Sequence, residues 1–170
     1  EVSIGSFMIN YLQLPELGNM TGEVAASHVA FYWGGAMVGR FIGSALLAKF
    51  SPRKLLAVFA VINALLVITT MSTTGTVAVY SIVAIGLFNS IMFPTIFSLG
   101  IERMGPLTGK ASSLLIMAIV GGALIPWIQG VVADSIGVQH AFFIPLICYG
   151  YILFYGLSGS KIRNLPVATR

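Results

Sequence analysis

The sequence predicts an all-α integral membrane domain of six transmembrane helices, the first of them truncated. Three observations predict it. Hydrophobic residues make up 57% of the chain and charged residues only 8%. The few charges fall between long apolar runs. Those runs are apolar all round, whereas a helix of a soluble bundle shows a polar face on every turn. A bilayer core about 30 Å thick needs about 20 apolar residues in helical rise. Outer-membrane barrels alternate polar and apolar residues in short segments, a pattern this chain lacks.

The spans follow in order. The first, 1–14, is apolar but too short to cross. It carries no basic leader and no small-residue cleavage site, so it is expected to be the later part of a helix that begins before Glu1, not a signal peptide. The second, 28–50, contains the apolar run 29–48, interrupted only by Arg40. From Leu55 to Ile101 no residue is charged, and the polar cluster Ser72-Thr73-Thr74-Gly75-Thr76 divides that stretch into a third span, 54–72, and a fourth, 77–101. The fifth, 109–133, and the sixth, 140–160, contain the charge-free runs 111–133 and 141–160, and residues 161–170 form a tail.

The basic residues assign sidedness. Lys49, Arg53 and Lys54 lie between the second and third spans, Arg103 and Lys110 between the fourth and fifth, and Lys161, Arg163 and Arg170 after the sixth. The alternate connections hold no Lys or Arg: residues 15–27 carry Glu16 and Glu23, 71–77 carry no charge, and 134–140 carry Asp134 and His140. The positive-inside rule then puts the basic loops and the C-terminus in the cytoplasm. The isoelectric point of about 9.5 is a topological signature; the surrounding partner is lipid, and nucleic acid is not a partner. Cys148 is the lone cysteine, so there is no disulfide framework to assign a compartment.

Within the spans, Gly35, Gly39 and Gly43 recur every four residues on one face of the second and allow a neighbouring backbone to come close. Pro94, Pro126 and Pro145 sit inside the fourth, fifth and sixth, with Gly121-Gly122 ahead of Pro126. A proline removes a helical hydrogen bond and kinks or opens the helix. Three such breaks suit a protein that rocks, with broken helices lining a cavity near the midplane.

A buried charge in lipid needs a partner or water. Arg40 and Glu1 fall at similar depth on adjacent antiparallel helices, which makes a Glu1–Arg40 pair possible; the alternatives are that Arg40 snorkels and that Glu1 faces a watered cavity. Neutral polar residues at depth are Asn10, Tyr11, Asn63, Asn89, Ser90 and Gln129. An amide offers donors and an acceptor without a charge, which suits hydroxyl groups, and Tyr32, Trp33, Phe93 and Trp127 offer aromatic faces. The alternative is that the amides join helices and the aromatics anchor the interface. Asn89 stands out because it lies one turn before Pro94. No nucleophile, metal cluster or phosphate loop is present, and His28 and His140 fall at the outer helix ends, so the sequence predicts neither an enzyme nor a metal site.

GRFIGSALLAKFSPRK (39–54) resembles the basic cytoplasmic loop signature of the C-terminal half of the major facilitator superfamily. EVSIGSFMINYL (1–12), FNSIMFPTIFSLGIERMG (88–105) and GKASSLLIMAIVGGALIPWIQGVVAD (109–134) resemble the fucose/hexose:cation symporters, most of all the bacterial glucose/galactose transporters. The resemblance implies the C-terminal six-helix half of a transporter in the cytoplasmic (inner) membrane, with an N-terminal six-helix half as its partner. Between the halves a hexose binds, and a cation gradient, H⁺ or Na⁺, drives alternating access; no other cofactor is implied. In the fucose branch the coupling carboxylates lie in the N-terminal half, so no coupling acid is assigned here. Asn89 and Met92 stand where that branch is expected to carry Met and Gln, which points away from fucose. The expected cavity residues are Asn10, Asn89, Phe93 and Gln129, and the expected gate and its packing are Gly39, Arg40, Gly43, Arg53 and Lys54. Alternative readings are a self-associating six-helix scaffold or channel, and a symporter of another small polar solute such as fucose or an amino sugar.

Overall fold

The computed structural model describes residues 1–161, and every regular element in them is helical. Helix α1 spans Val2–Leu12 and α2 spans Gly22–Leu47. Glu23 in the first turn of α2 complements the positive end of the helix dipole. Helix α3, Pro52–Ser72, opens with proline at its first position, where the missing N–H has no helical partner to lose. Only Thr73 and Thr74 separate it from α4, Gly75–Asn89, and Gly75 supplies the positive φ of 63° that turns the chain back.

The later helices are interrupted. At Ser90–Ile91, α4 gives way to α5, Met92–Ile101. Pro94 cannot donate to the Ser90 carbonyl four residues back, so the helix opens there. After the 3₁₀ turn Gly105–Leu107 comes α6, Thr108–Met117, then a second 3₁₀ turn, Ala118–Val120, and α7, Gly121–Ile136, with Pro126 inside it. A short α8, Val138–Ala141, ends where Pro145 withholds a bond from the Ala141 carbonyl. Helix α9, Phe143–Phe154, finishes in the π turn Tyr155–Gly159.

Four stretches are long and apolar enough to cross a membrane: Pro52–Ser72, Gly75–Ile101, Gly105–Ile136 and Val138–Gly159. By length and composition, four of the six expected spans are identified among the described residues. Helix α1 has only 11 residues, and α2, though 26 residues long, is made less apolar by Arg40 and its glycines.

Helix α4 packs along α2 on one side and α3 on the other; α3 also lies against α9, and α1 bridges α2 and α7. Ile4, Met8, Tyr11, Leu56, Ile82 and Ile85 fill the core between them. The α2–α4 seam is the tightest. A methyl group added at Gly39 would run into the Leu87 carbonyl, one at Gly43 into Ile91, and one at Gly86 into the Tyr32 carbonyl. The small residues let the two backbones touch.

Polar contacts tie the two ends of the bundle. At one end, Tyr11 donates its hydroxyl to the Thr70 carbonyl at 2.6 Å, and Gln139 donates from Nε2 to the Thr73 carbonyl at 3.0 Å. Both satisfy carbonyls at the C-terminus of α3 that have no helical partner. At the other end, Arg53 and Glu102 form an ion pair at 3.9 Å. Gly156 also lies there, close to the Arg53 carbonyl. Lys49, Lys54, Arg103 and Lys161 neighbour these positions in sequence, so the basic residues gather at one end. Arg163 and Arg170, with the rest of residues 162–170, lie outside the described residues.

Candidate functional site

Three helix interruptions, two of them at Pro94 and Pro145, converge on a cavity of about 510 Å³. The break in α4–α5 contributes Asn89 and Phe93, the α6–α7 break contributes Gly121, Gly122 and Pro126, and the start of α9 contributes Pro145. Residues Glu1–Ser3 of α1 close another side. Interrupted helices leave backbone carbonyls unpaired, and such backbone is tolerated at membrane depth where it lines a cavity. Asn89 is the fifteenth residue of the 27-residue stretch Gly75–Ile101, so the site lies near the middle of the longest run of α4–α5.

The walls are mainly apolar and aromatic, with Phe93 and Phe97 tilted against each other at 6.2 Å between ring centres. Apart from Glu1, the polar side chains that line them are neutral: Ser3, Asn89 and Tyr149, with the Cys148 thiol beside them. Among the described residues, no Lys or Arg lines the cavity and no cluster of His, Cys, Asp or Glu has the makings of a metal site. A concave, apolar and aromatic pocket with a few placed hydrogen-bonding groups suits a small neutral polar ligand.

Asn89 is the hub of a buried polar cluster. It is 2% exposed, and its Oδ1 accepts from the Tyr149 hydroxyl at 2.7 Å and from Asn63 Nδ2 at 3.0 Å. Its own Nδ2 donates to the Tyr32 hydroxyl at 3.0 Å. Four helices, α2, α3, α4 and α9, thus meet at one amide. Such a cluster fixes a unique packing when its members are satisfied.

The other expected site residues are spread out. Gln129 is fully buried and sits behind Ser3, whose hydroxyl donates to Gln129 Oε1; its Nε2 has no protein partner. Asn10 does not reach the cavity. It follows Ser3 by seven residues, which keeps it on nearly the same face but carries it about 10 Å along the axis, and it is exposed there. Of the aromatic candidates only Phe93 lines the cavity; Tyr32 is buried in the cluster, and Trp33 and Trp127 are 47% and 69% exposed.

Glu1 and Arg40 do not pair: among the described residues Arg53–Glu102 is the one ion pair. Gly39 faces α4, and the next residue points about 100° away around the helix, so Arg40 is turned to the outer surface while Glu1 edges the cavity. Gly39 and Gly43 are packing residues of the α2–α4 seam, Arg53 is paired with Glu102, and Lys54 is exposed at the basic end.

Tyr149 was missed by sequence reasoning, although its place one turn after Pro145 was a usable signal. Asn63 was visible as an amide at depth, but nothing in its neighbours indicated that it would meet Asn89, 26 positions away.

No family model matches the chain. It is 54% identical over 161 residues to a glucose/galactose transporter of Brucella abortus, covering 95% of this chain and 39% of that protein. It is 34% identical over 151 residues to the L-fucose-proton symporter of Escherichia coli, covering 88% of this chain and 34% of the symporter. The fold matches the crystal structure of FucP, a major facilitator superfamily transporter in the outward conformation, with a TM-score of 0.89 and 31% identity over 95% of this chain and 39% of FucP. The chain therefore spans about two-fifths of the length of the transporters it matches. Interrupted membrane helices around a central cavity, and a shared fold and sequence over nearly all its length, make the chain a member of the major facilitator superfamily, similar to the glucose/galactose transporters and the fucose symporter.

Proposed function

We propose that this chain is the C-terminal six-helix half of a secondary transporter that moves a hexose, glucose or galactose in kind, across the cytoplasmic membrane by cation-coupled symport. The observation that carries the proposal is the cavity at the helix breaks. Neutral hydrogen-bonding groups face it beside aromatic rings, the combination that a polyhydroxylated ring with one apolar face requires. The similarity to a glucose/galactose transporter and to an L-fucose-proton symporter supports a sugar as the solute. In this reading α1 and α2 complete the six spans, the basic end with Arg53 and Lys54 faces the cytoplasm, and a second six-helix half closes the open side of the cavity. The coupling ion is H⁺ or Na⁺.

Alternating access requires the bound solute to be enclosed from two sides in turn, so a single wall does not transport. Residues 1–170 expressed alone should accumulate no sugar, and adding the partner half should restore uptake. The deciding experiment is uptake of labelled glucose, galactose and fucose into vesicles carrying the full-length transporter, under imposed proton or sodium gradients. Gradient-driven uptake of one hexose, weakened by Asn89→Ala, is the expected result. Failure to take up any of the three under either gradient would sink the proposal.

A further inference from the structure

The polar cluster around Asn89 restricts what this residue can offer a ligand. A carboxamide has two acceptor positions on its oxygen and two N–H donors on its nitrogen. Both acceptor positions of Asn89 are used, one by the Tyr149 hydroxyl at 2.7 Å and one by Asn63 Nδ2 at 3.0 Å. One N–H is given to the Tyr32 hydroxyl. A single N–H is left. Asn89 lines the cavity, whereas Asn63 and Tyr32 are fully buried and do not.

From this hydrogen-bond count we infer that Asn63 and Tyr149 make Asn89 a donor-only residue towards the cavity, with Asn63 a positioning residue that sets specificity without touching the ligand. The contact at Asn89 then selects a ligand atom that accepts, such as a hydroxyl or ether oxygen, and gains nothing from the hydroxyl's own proton. The arrangement depends on three helices: α3 brings Asn63, α9 brings Tyr149, and α4 places Asn89 as its last residue, just ahead of the break at Ser90–Ile91. Tyr32 on α2 takes the nitrogen side, and the donor-only Asn63 Nδ2 fixes the oxygen side, because a tyrosine hydroxyl could bond either end of the amide. Asn63 Nδ2 also reaches Met92 Sδ at 4.0 Å, and its Oδ1 has no protein partner.

The inference rests on the cavity as a sugar site, and its test separates the two. In the full-length transporter, displacement of a labelled hexose is measured with the parent sugar and with its deoxyfluoro analogues, one ring position at a time. Fluorine accepts weakly and cannot donate, so at the position that meets Asn89 the unsubstituted protein should prefer the parent only by the difference in acceptor strength. Asn63→Leu releases the Asn89 amide from α3, so that it can turn an acceptor position towards the cavity, and the parent sugar should then gain about two- to tenfold over its fluoro analogue, the worth of one neutral hydrogen bond. Tyr149→Phe frees the other acceptor position with the ring retained, should give the same rise, and decides the matter if Asn63→Leu does not reach the membrane. Tyr32→Phe frees an N–H instead and should produce no rise. A general loosening of the cluster would move all three variants alike. An unchanged preference in Asn63→Leu and Tyr149→Phe, or a rise in Tyr32→Phe equal to theirs, overturns the inference. No displaceable hexose in the unsubstituted protein overturns the sugar site itself and the inference with it.

Discussion

Two glycine-bearing regions of this molecule do opposite things. Along the α2–α4 seam, Gly39, Gly43 and Gly86 are pressed so close to the facing helix that a single methyl group on any of them would meet backbone or side-chain atoms. In the α6–α7 rod, Gly121 has open space around it and Gly122 meets only a methyl of Val2 at 3.7 Å. The surroundings differ in step. In the most apolar windows of Pro52–Ser72 and Gly75–Ile101, 44% of residues are buried, against 6% for Gly105–Ile136. The first region is a close-packed frame and the second a rod beside the cavity that the rest of this chain leaves largely uncovered. Glycine spacing alone does not distinguish them. In the seam the glycines remove side chains so that helices pack; at the break they stand beside a proline and loosen the helix.

The sharpest way to break the comparison is to fill the seam. Gly39→Val should cost about 3 kcal/mol or more, the upper range for overpacking, because the carbonyl of Leu87 cannot move without moving α4. Gly121→Ala, with nothing nearby to displace, should leave stability equal or raise it by about 0.5–1 kcal/mol, the usual gain of alanine over glycine in a helix. Thermal unfolding of the purified protein in detergent measures both. Equal melting temperatures for the two variants would mean that the seam is no tighter than the rod.

Asn89→Leu comes next. It leaves the Asn63 amide, the Tyr32 hydroxyl and the Tyr149 hydroxyl without their buried partner, at a cost of about 2–3 kcal/mol within the range for orphaned buried groups. The same unfolding measurement should show a clear fall, below that of Gly39→Val. A loss under about 0.5 kcal/mol would indicate that water already serves the cluster.

Several parts of this organisation were legible in the sequence. The four-residue spacing of Gly39 and Gly43 indicated a close-packed face, the Ser72–Thr76 cluster a turn, and Pro94 and Pro145 the helix breaks, because each of these is a local property of the chain; Pro126 sits inside an unbroken α7, and the interruption in that span falls at Ala118–Val120 instead. The cluster at Asn89 was not, since Tyr149 lies 60 positions away and meets it only when α9 docks on α3. Depth along a helix proved easier to judge than direction around it: Arg40 and Glu1 were matched by depth, but the packing of Gly39 on α4 turns Arg40 outward. Asn10 shows the reverse error, with nearly the right face but a position two turns too far along α1. The count of spans shows a third limit, since a helix with Arg40 and a glycine face is less apolar than its neighbours although it packs among them.

The rod itself can be stiffened. Pro126→Ala restores the N–H that the Gly122 carbonyl lacks, and because α7 is already helical on both sides of Pro126 the gain in stability should be under about 1 kcal/mol, the net worth of one hydrogen bond. If the proline serves motion, transport rate should fall several-fold while sugar affinity changes little. Initial rates against sugar concentration separate the two, and an unchanged maximal rate would make the proline a packing feature only.

The smallest effect concerns the frame's basic end. Arg53 and Glu102 join the start of α3 to the end of α5 at 3.9 Å, with side chains 30% and 44% exposed. A pair so open to solvent contributes about 0–1 kcal/mol, so Arg53→Ala should shift the unfolding midpoint barely beyond error. Its value lies elsewhere. Helix α5 hangs from the break at Ser90–Ile91, and the pair ties its far end to α3, which belongs to the frame. Losing the pair should therefore leave stability alone and make α5 more mobile, read as faster amide exchange in residues 92–101 than in 75–89. Charge reversal of both partners, Arg53→Glu with Glu102→Arg, should restore slow exchange if the tie is electrostatic. If Arg53→Ala speeds exchange equally on both sides of the break, α4 and α5 move as one rod, and the boundary between frame and moving part lies elsewhere.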